Sequence, residues 1–144
     1  MTDIDRTAPV LVRHELLIAA DPATVWRVHT DIAAWPTWNT GVTSAELTGP
    51  LAEGATFHWH THGLAIASTV LELVPGRRIV WGGPAHGIDG VHLWTFAPAD
   101  GGTLVTTEES WAGPPVDADP DGLCAALDAS LDAWLLDLRA AAER

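Results

Sequence analysis

From Val42 to Trp111 the chain's apolar residues tend to fall on every second position, and from Leu123 to Leu138 they recur at three- and four-residue steps. Side chains alternate between the two faces of a strand and repeat every three to four residues along a helix. The change of period therefore sets a block of strands before one long helix. Segregated strands and helices imply an α+β fold, an antiparallel sheet packed on a helix, rather than a doubly wound parallel sheet.

The sequence predicts a first strand over Val10 to Ile18. Asp21-Pro22 then opens a helix to about Thr30, since Asp caps free N–H groups and Pro suits the first helical turn. A second short helix, Asp31 to Trp35, is interrupted by Pro36. Six further strands are predicted: Val42 to Leu47, Thr56 to His62, Leu64 to Val74, Arg77 to Trp81, Gly90 to Ala97 and Thr103 to Trp111. Gly82 to Gly87 reads as a flexible loop that could lie over a cavity mouth, and Pro98 to Gly102 as a five-residue hairpin loop. Asp119-Pro120 repeats the cap-then-proline signal and starts the long helix, which runs to about Ala142 with Leu123, Leu127, Leu131, Trp134, Leu135 and Leu138 on one stripe. Residues 1–9 are expected to be a loose leader and residues 10–144 a single domain, without repeats or linkers.

Charge narrows the partners. There are 19 acidic residues against seven arginines and no lysine, a net charge of -12. Such a surface repels phosphate backbones and anionic lipid headgroups, so neither nucleic acid nor a membrane is an expected partner. No signal-peptide pattern or membrane-length apolar run is visible, which points to a cytoplasmic protein. The one cysteine excludes an internal disulfide and a cysteine-rich zinc site. Eight tryptophans without a tyrosine are more indole than a core this size needs. Flat, apolar rings suit the wall of a cavity for an aromatic or hydrophobic small molecule.

Alternation then selects the wall. Placing the aromatic face of each strand inward gathers Phe57, Trp59, Ile79, Trp81, His92, Trp94, Phe96, Glu109 and Trp111. Leu127, Leu131 and Trp134 close the space from the long helix, and Trp38 from the short helices. A one-residue slip of register would reverse each strand, putting Glu108 in place of Glu109. His92 and Glu109 are the candidate catalytic pair: a carboxyl in an apolar pocket has a raised pKa and suits general acid–base work, with an imidazole to shuttle the proton. The expected five-residue loop does not set them directly opposite, but both reach a common ligand. His58, His60 and His62 have the spacing of metal ligands on one strand face, but Phe57 and Trp59 on the other face send them to solvent, and no metal site is expected. No nucleophile elbow, phosphate loop or dinucleotide fingerprint occurs, and no cofactor is expected.

The order of elements resembles the helix-grip fold of the START/Bet v 1-like (SRPBCC) superfamily. Ala20-Asp21-Pro22-Ala23-Thr24-Val25-Trp26 looks like that superfamily's step from the first strand into the first helix. Asp31-Ile32-Ala33-Ala34-Trp35-Pro36-Thr37-Trp38-Asn39 is similar to its second helix. Gly54 to Trp59, Glu72 to Trp81, His92 to Phe96 and Gly102 to Glu109 resemble its sheet strands, so the likeness spans about residues 10–142, and it is strongest toward the polyketide cyclase/dehydrase-like branch. The resemblance implies a seven-stranded antiparallel sheet wrapped around the C-terminal helix, with a hydrophobic ligand between them. Superfamily members include cyclases and non-catalytic binders, and fold alone does not choose. Three readings stay open at this point: a cofactor-independent cyclase or dehydratase, a carrier or sensor of a hydrophobic ligand, and a domain recruited for protein contacts. Whether the chain acts alone or as a homodimer is also open.

Overall fold

The computed structural model describes residues 1–144. Its elements are β1 (Val10–Ile18), α1 (Pro22–Thr30), a 3₁₀ helix (Ile32–Thr37), β2 (Val42–Leu47), β3 (Thr56–Thr61), β4 (Leu64–Val74), β5 (Arg78–Ala85), β6 (Ile88–Ala99), β7 (Gly102–Ala112), α2 (Pro114–Ala118) and α3 (Pro120–Ala142). The seven strands form one antiparallel sheet in the order β1-β7-β6-β5-β4-β3-β2. β1 therefore closes onto the last strand, and the sheet curls around α3. This is the helix-grip arrangement.

The caps are the ones the sequence prescribes. The Asp21 carboxylate accepts from the Thr24 amide and the Asp119 carboxylate from the Gly122 amide, each with a proline at the start of the helix behind it. Both caps satisfy amides that the first turn leaves without partners. Leu127, Leu131, Trp134, Leu135 and Leu138 of α3 are buried against the sheet. Carboxylates of α3 and of its C-cap residue pin the helix to its surroundings: Asp128 to His14 of β1, Asp137 to the Thr40 amide and hydroxyl, and Glu143, the cap, to the Ala19 amide.

Five differences from the sequence reading follow. Gly82 to Gly87 is not a loop: Gly82 to Ala85 continue β5, and only His86 and Gly87 turn. Pro98 and Ala99 belong to β6, Gly102 opens β7, and the turn is Asp100-Gly101 alone. The 3₁₀ helix extends through Pro36 to Thr37, and α2 follows Gly113, where only the end of the sheet was expected. Residues 1–9 have no helix or strand, yet they are packed. Ile4 is buried with Val80 and Leu93 on the outer face of the sheet. The Asp5 amide donates to Ser110, and Arg6 pairs with Glu108 and Asp3.

Candidate functional site

A cavity of about 350 Å³ lies between the sheet and the N-terminal half of α3. Its walls come from every strand between β3 and β7. Trp59, Trp81, Trp111 and Trp134 are the indoles that line it, with Leu127 and Leu131 from α3. These positions follow from the pleat: inward residues of β5, β6 and β7 are Ile79 and Trp81, His92, Trp94 and Phe96, and Val105, Thr107, Glu109 and Trp111. Glu108 faces the other way and meets Arg6 on the outer surface.

The remaining aromatics expected at the wall occupy a solid cluster farther along the sheet. Phe57, Trp94 and Phe96 are buried among His29, Trp35, Trp26 and Trp81 at ring-centroid distances of 4.4 to 5.5 Å. Ile79 joins the same core, and Trp38 is buried beside the 3₁₀ helix without lining the cavity. The indoles of Trp59, Trp81 and Trp94 all face Trp134 of α3, at 5.7, 6.1 and 5.4 Å between ring centroids. Part of the sheet–helix space is thus filled by aromatic packing, and the cavity lies beside it, against Trp134.

His92 and Glu109 are directly opposite one another in the β6–β7 ladder. The two-residue turn at Asp100-Gly101 makes it so, in place of the five-residue loop that had put them out of register. His92 Nδ1 lies 2.8 Å from Glu109 Oε1, and Nε2 lies 2.7 Å from Thr107 Oγ1. The Thr107 hydroxyl donates to the Leu93 carbonyl at 3.1 Å. A hydroxyl has one proton to give. With that proton on the Leu93 carbonyl, the Thr107 oxygen accepts, and Nε2–H of His92 is the donor. The second proton of the pair then lies between Nδ1 and Glu109. The Trp111 indole N–H donates to the other oxygen, Oε2, at 2.5 Å. The carboxyl is also where the polar chain meets the cavity: His92 is almost wholly buried, and the Glu109 side chain keeps 14% of its exposure.

Ser68 also lines the cavity and accepts from the Trp59 indole at 3.1 Å, which fixes that ring. Neither Ser68 nor His29 stood out in the sequence. His29 is fully buried on the inner face of α1, and neither of its ring nitrogens has a hydrogen-bond partner. Burial pushes its pKa down from 6.5 to about 3, with the neighbouring His92 adding to the effect. Its spacing of four residues from Val25, the other buried residue of α1, was the available signal.

His58 and His60 are exposed on the outer face of β3, and His60 Nδ1 is 2.8 Å from Ser44 Oγ. His62 departs from its two neighbours: it sits in the β3–β4 turn with a φ of 50° and lines the cavity. No three His, Cys, Asp or Glu side chains are grouped as metal ligands. No helix is long and apolar enough to cross a membrane.

Residues 9–143 match the family described as polyketide cyclase / dehydrase and lipid transport. The chain belongs to this family. Solved structures of the same architecture include a hypothetical protein from Helicobacter pylori, 20% identical, with a TM-score of 0.83 over 99% of this chain and 97% of that one. The Zhui aromatase/cyclase from Streptomyces sp. R1128 is 18% identical, with a TM-score of 0.81 over 93% of each chain. A START superfamily protein from Mycobacterium smegmatis is 14% identical, with a TM-score of 0.76 over 92% of this chain and 97% of that one. No curated protein matches the chain by sequence. Within the polyketide cyclase/dehydrase family, the Trp-lined hollow and the His92–Glu109 pair are what this chain's own residues build on the shared fold.

Proposed function

We propose that the protein takes a small, flat, largely apolar molecule into this cavity and that Glu109, backed by His92, moves a proton on it without a cofactor. One observation carries the reading: in a cavity walled mostly by indoles and aliphatic side chains, the one carboxyl is held by an imidazole directly across the ladder. An apolar cavity of about 150 Å³ accommodates one benzene ring, so the space of about 350 Å³ suits a ligand of roughly two fused rings. The fold shared with an aromatase/cyclase supports the same direction, although at that identity the likeness reaches the architecture only.

The chemistry that fits is dehydration or aldol-type ring closure next to a carbonyl. In the dehydration of a β-hydroxy ketone, the Glu109 carboxylate takes the proton from the carbon beside the carbonyl. The C–H electrons form the C=C bond, the C–O bond breaks, and the same proton leaves with the hydroxyl as water. His92 steadies the carboxylate before and after, and Thr107 fixes the imidazole. Positioned acid–base groups of this kind contribute about 10²–10⁴-fold to a rate.

A second reading, a carrier or sensor, is favoured by one feature: both Glu109 oxygens are already engaged, by His92 and by Trp111. The two separate in one experiment. N-phenylnaphthylamine fluorescence measures binding, and conversion of a bicyclic β-hydroxy ketone to its enone is followed by absorbance. The catalytic reading expects turnover by the native protein and, for Glu109→Gln, unchanged dye binding with turnover lost by about 10²-fold or more. Dye binding with no turnover by the native protein selects the carrier. A native protein that binds neither molecule refutes both.

A further inference from the structure

The hydrogen-bonded ladder between β4 and β5 stops short of the cavity end. Its last pairs there are Val70 with Trp81 and Thr69 with Gly82. Continued in the same register, Ser68 would face Gly83, Ala67 would face Pro84, Ile66 would face Ala85 and Ala65 would face His86. None of these is paired, although both segments remain strand through their bonds to β3 and β6. Pro84 has no N–H to give, and Gly83 has a φ of 142° that takes it out of the regular strand conformation. The two strands stay close, since a side chain added at Gly83 would come within 3.7 Å of the Ala67 carbonyl. The result is a closed seam with no ladder pairs in it, between strands that stay paired to their other neighbours.

Both lips of the seam are walls of the cavity. Leu64, Ile66 and Ser68 line it from β4, and Gly83, Ala85 and His86 from β5 and its turn. A side-chain bond ties the lips together: His86 Nε2 lies 2.9 Å from the Ala65 carbonyl, where the continued register would set these two residues opposite one another. His86 holds a φ of 53°, the left-handed conformation of a tight turn.

We propose that this seam is the ligand's way into the cavity and that the His86 imidazole is its latch. The proposal rests on the ligand-binding reading above. Among the strand junctions of the cavity wall, β3–β4, β5–β6 and β6–β7 are paired along it, and only here does parting two strands break one side-chain hydrogen bond and no ladder bonds.

The test locks the seam from outside. Ala67 and Pro84 are exposed and face each other in the continued register, so Ala67→Cys with Pro84→Cys, in a Cys124→Ser background, places two thiols across the seam without touching the cavity wall. Stopped-flow mixing with N-phenylnaphthylamine follows association. Oxidation, verified by mass, is expected to slow association at least about tenfold, and reduction to restore it. His86→Gly suits the turn and removes the ring. It is expected to raise the association rate about fivefold, as loss of one net hydrogen bond from the closed state would. Equal association rates in the oxidised and reduced cross-linked protein, or an unaltered rate in His86→Gly should the cross-link not form, overturn the portal and leave ligand binding intact. A native protein that does not bind the dye overturns the ligand-binding reading itself, and the portal with it.

Discussion

Lowering the pH from 7.5 to 4.5 should destabilise this protein through one imidazole, His29. It is fully buried against Trp35, Trp81, Trp94 and Phe96, and the only titratable group acting on it is His92. Burial lowers its folded-state pKa to about 3, against 6.5 for the free side chain. The sign follows. Above pH 6.5 the ring is neutral in both states and costs nothing. Below it the unfolded chain takes up a proton that the folded chain refuses, so stability falls as pH drops toward the folded value. At pH 4.5, two units below 6.5, the loss is about 2.7 kcal/mol at 1.36 kcal/mol per unit. The assay is urea unfolding at each pH, read by tryptophan fluorescence, with His29→Phe as the reference. Phe fills the same aromatic site and cannot titrate. It leaves the His29 backbone carbonyl, which accepts from the Trp35 indole at 2.7 Å, in place. The carboxylates with lowered pKa values, Asp3, Asp5, Asp21 and Glu72, contribute equally to both proteins and cancel in the difference. The stability of the native protein relative to the variant should fall by about 2.7 kcal/mol over this range. Parallel pH profiles for the two proteins would refute the assignment of a neutral, unpaired His29.

Two further outcomes test the packing. Gly102→Ala should fail to fold or lose several kcal/mol in chemical unfolding, because its Cβ would lie 2.0 Å from the Ile18 carbonyl at a φ of 147°; a loss under about 1 kcal/mol would mean the β1–β7 junction is looser than described. Ile4→Ala should cost about 2–4 kcal/mol by opening a hole over Val80 and Leu93, and an unchanged urea midpoint would show that residues 1–9 do not cover the outer face.

The order of elements, both long-helix caps and the inward face of every central strand were legible in the sequence, because each rests on local chemistry: period, an Asp-Pro start, an aromatic alternation. The two misread strand ends share one cause. Pro84 and Pro98 each sit in a run of Gly, Pro and Ala that looks like a loop. Both lie in strands, at places where a neighbouring strand has ended its pairing. The β4–β5 ladder stops at Gly82, before Pro84, and β5 begins at Arg78 opposite Thr95, short of Pro98. A proline is tolerated in a strand where its missing N–H has no partner to fail. Whether a given position has such a partner depends on a strand distant in sequence, so no local signal reports it.

The same two prolines decide the candidate site. With Pro98 in β6, the hairpin tightens to Asp100-Gly101 and brings His92 opposite Glu109, at 2.8 Å between Nδ1 and Oε1. A loop of five residues would have displaced the carboxyl along β7, away from the imidazole. With Pro84 in β5, the sheet keeps its wall but loses its hydrogen bonds beside the cavity, and His86 is left to hold the gap. One proline therefore accompanies the register that makes a proton-sharing pair, and the other accompanies the seam through which a ligand reaches it. Residues chosen for what they omit, a backbone N–H, shape this site as much as the tryptophans that furnish its walls.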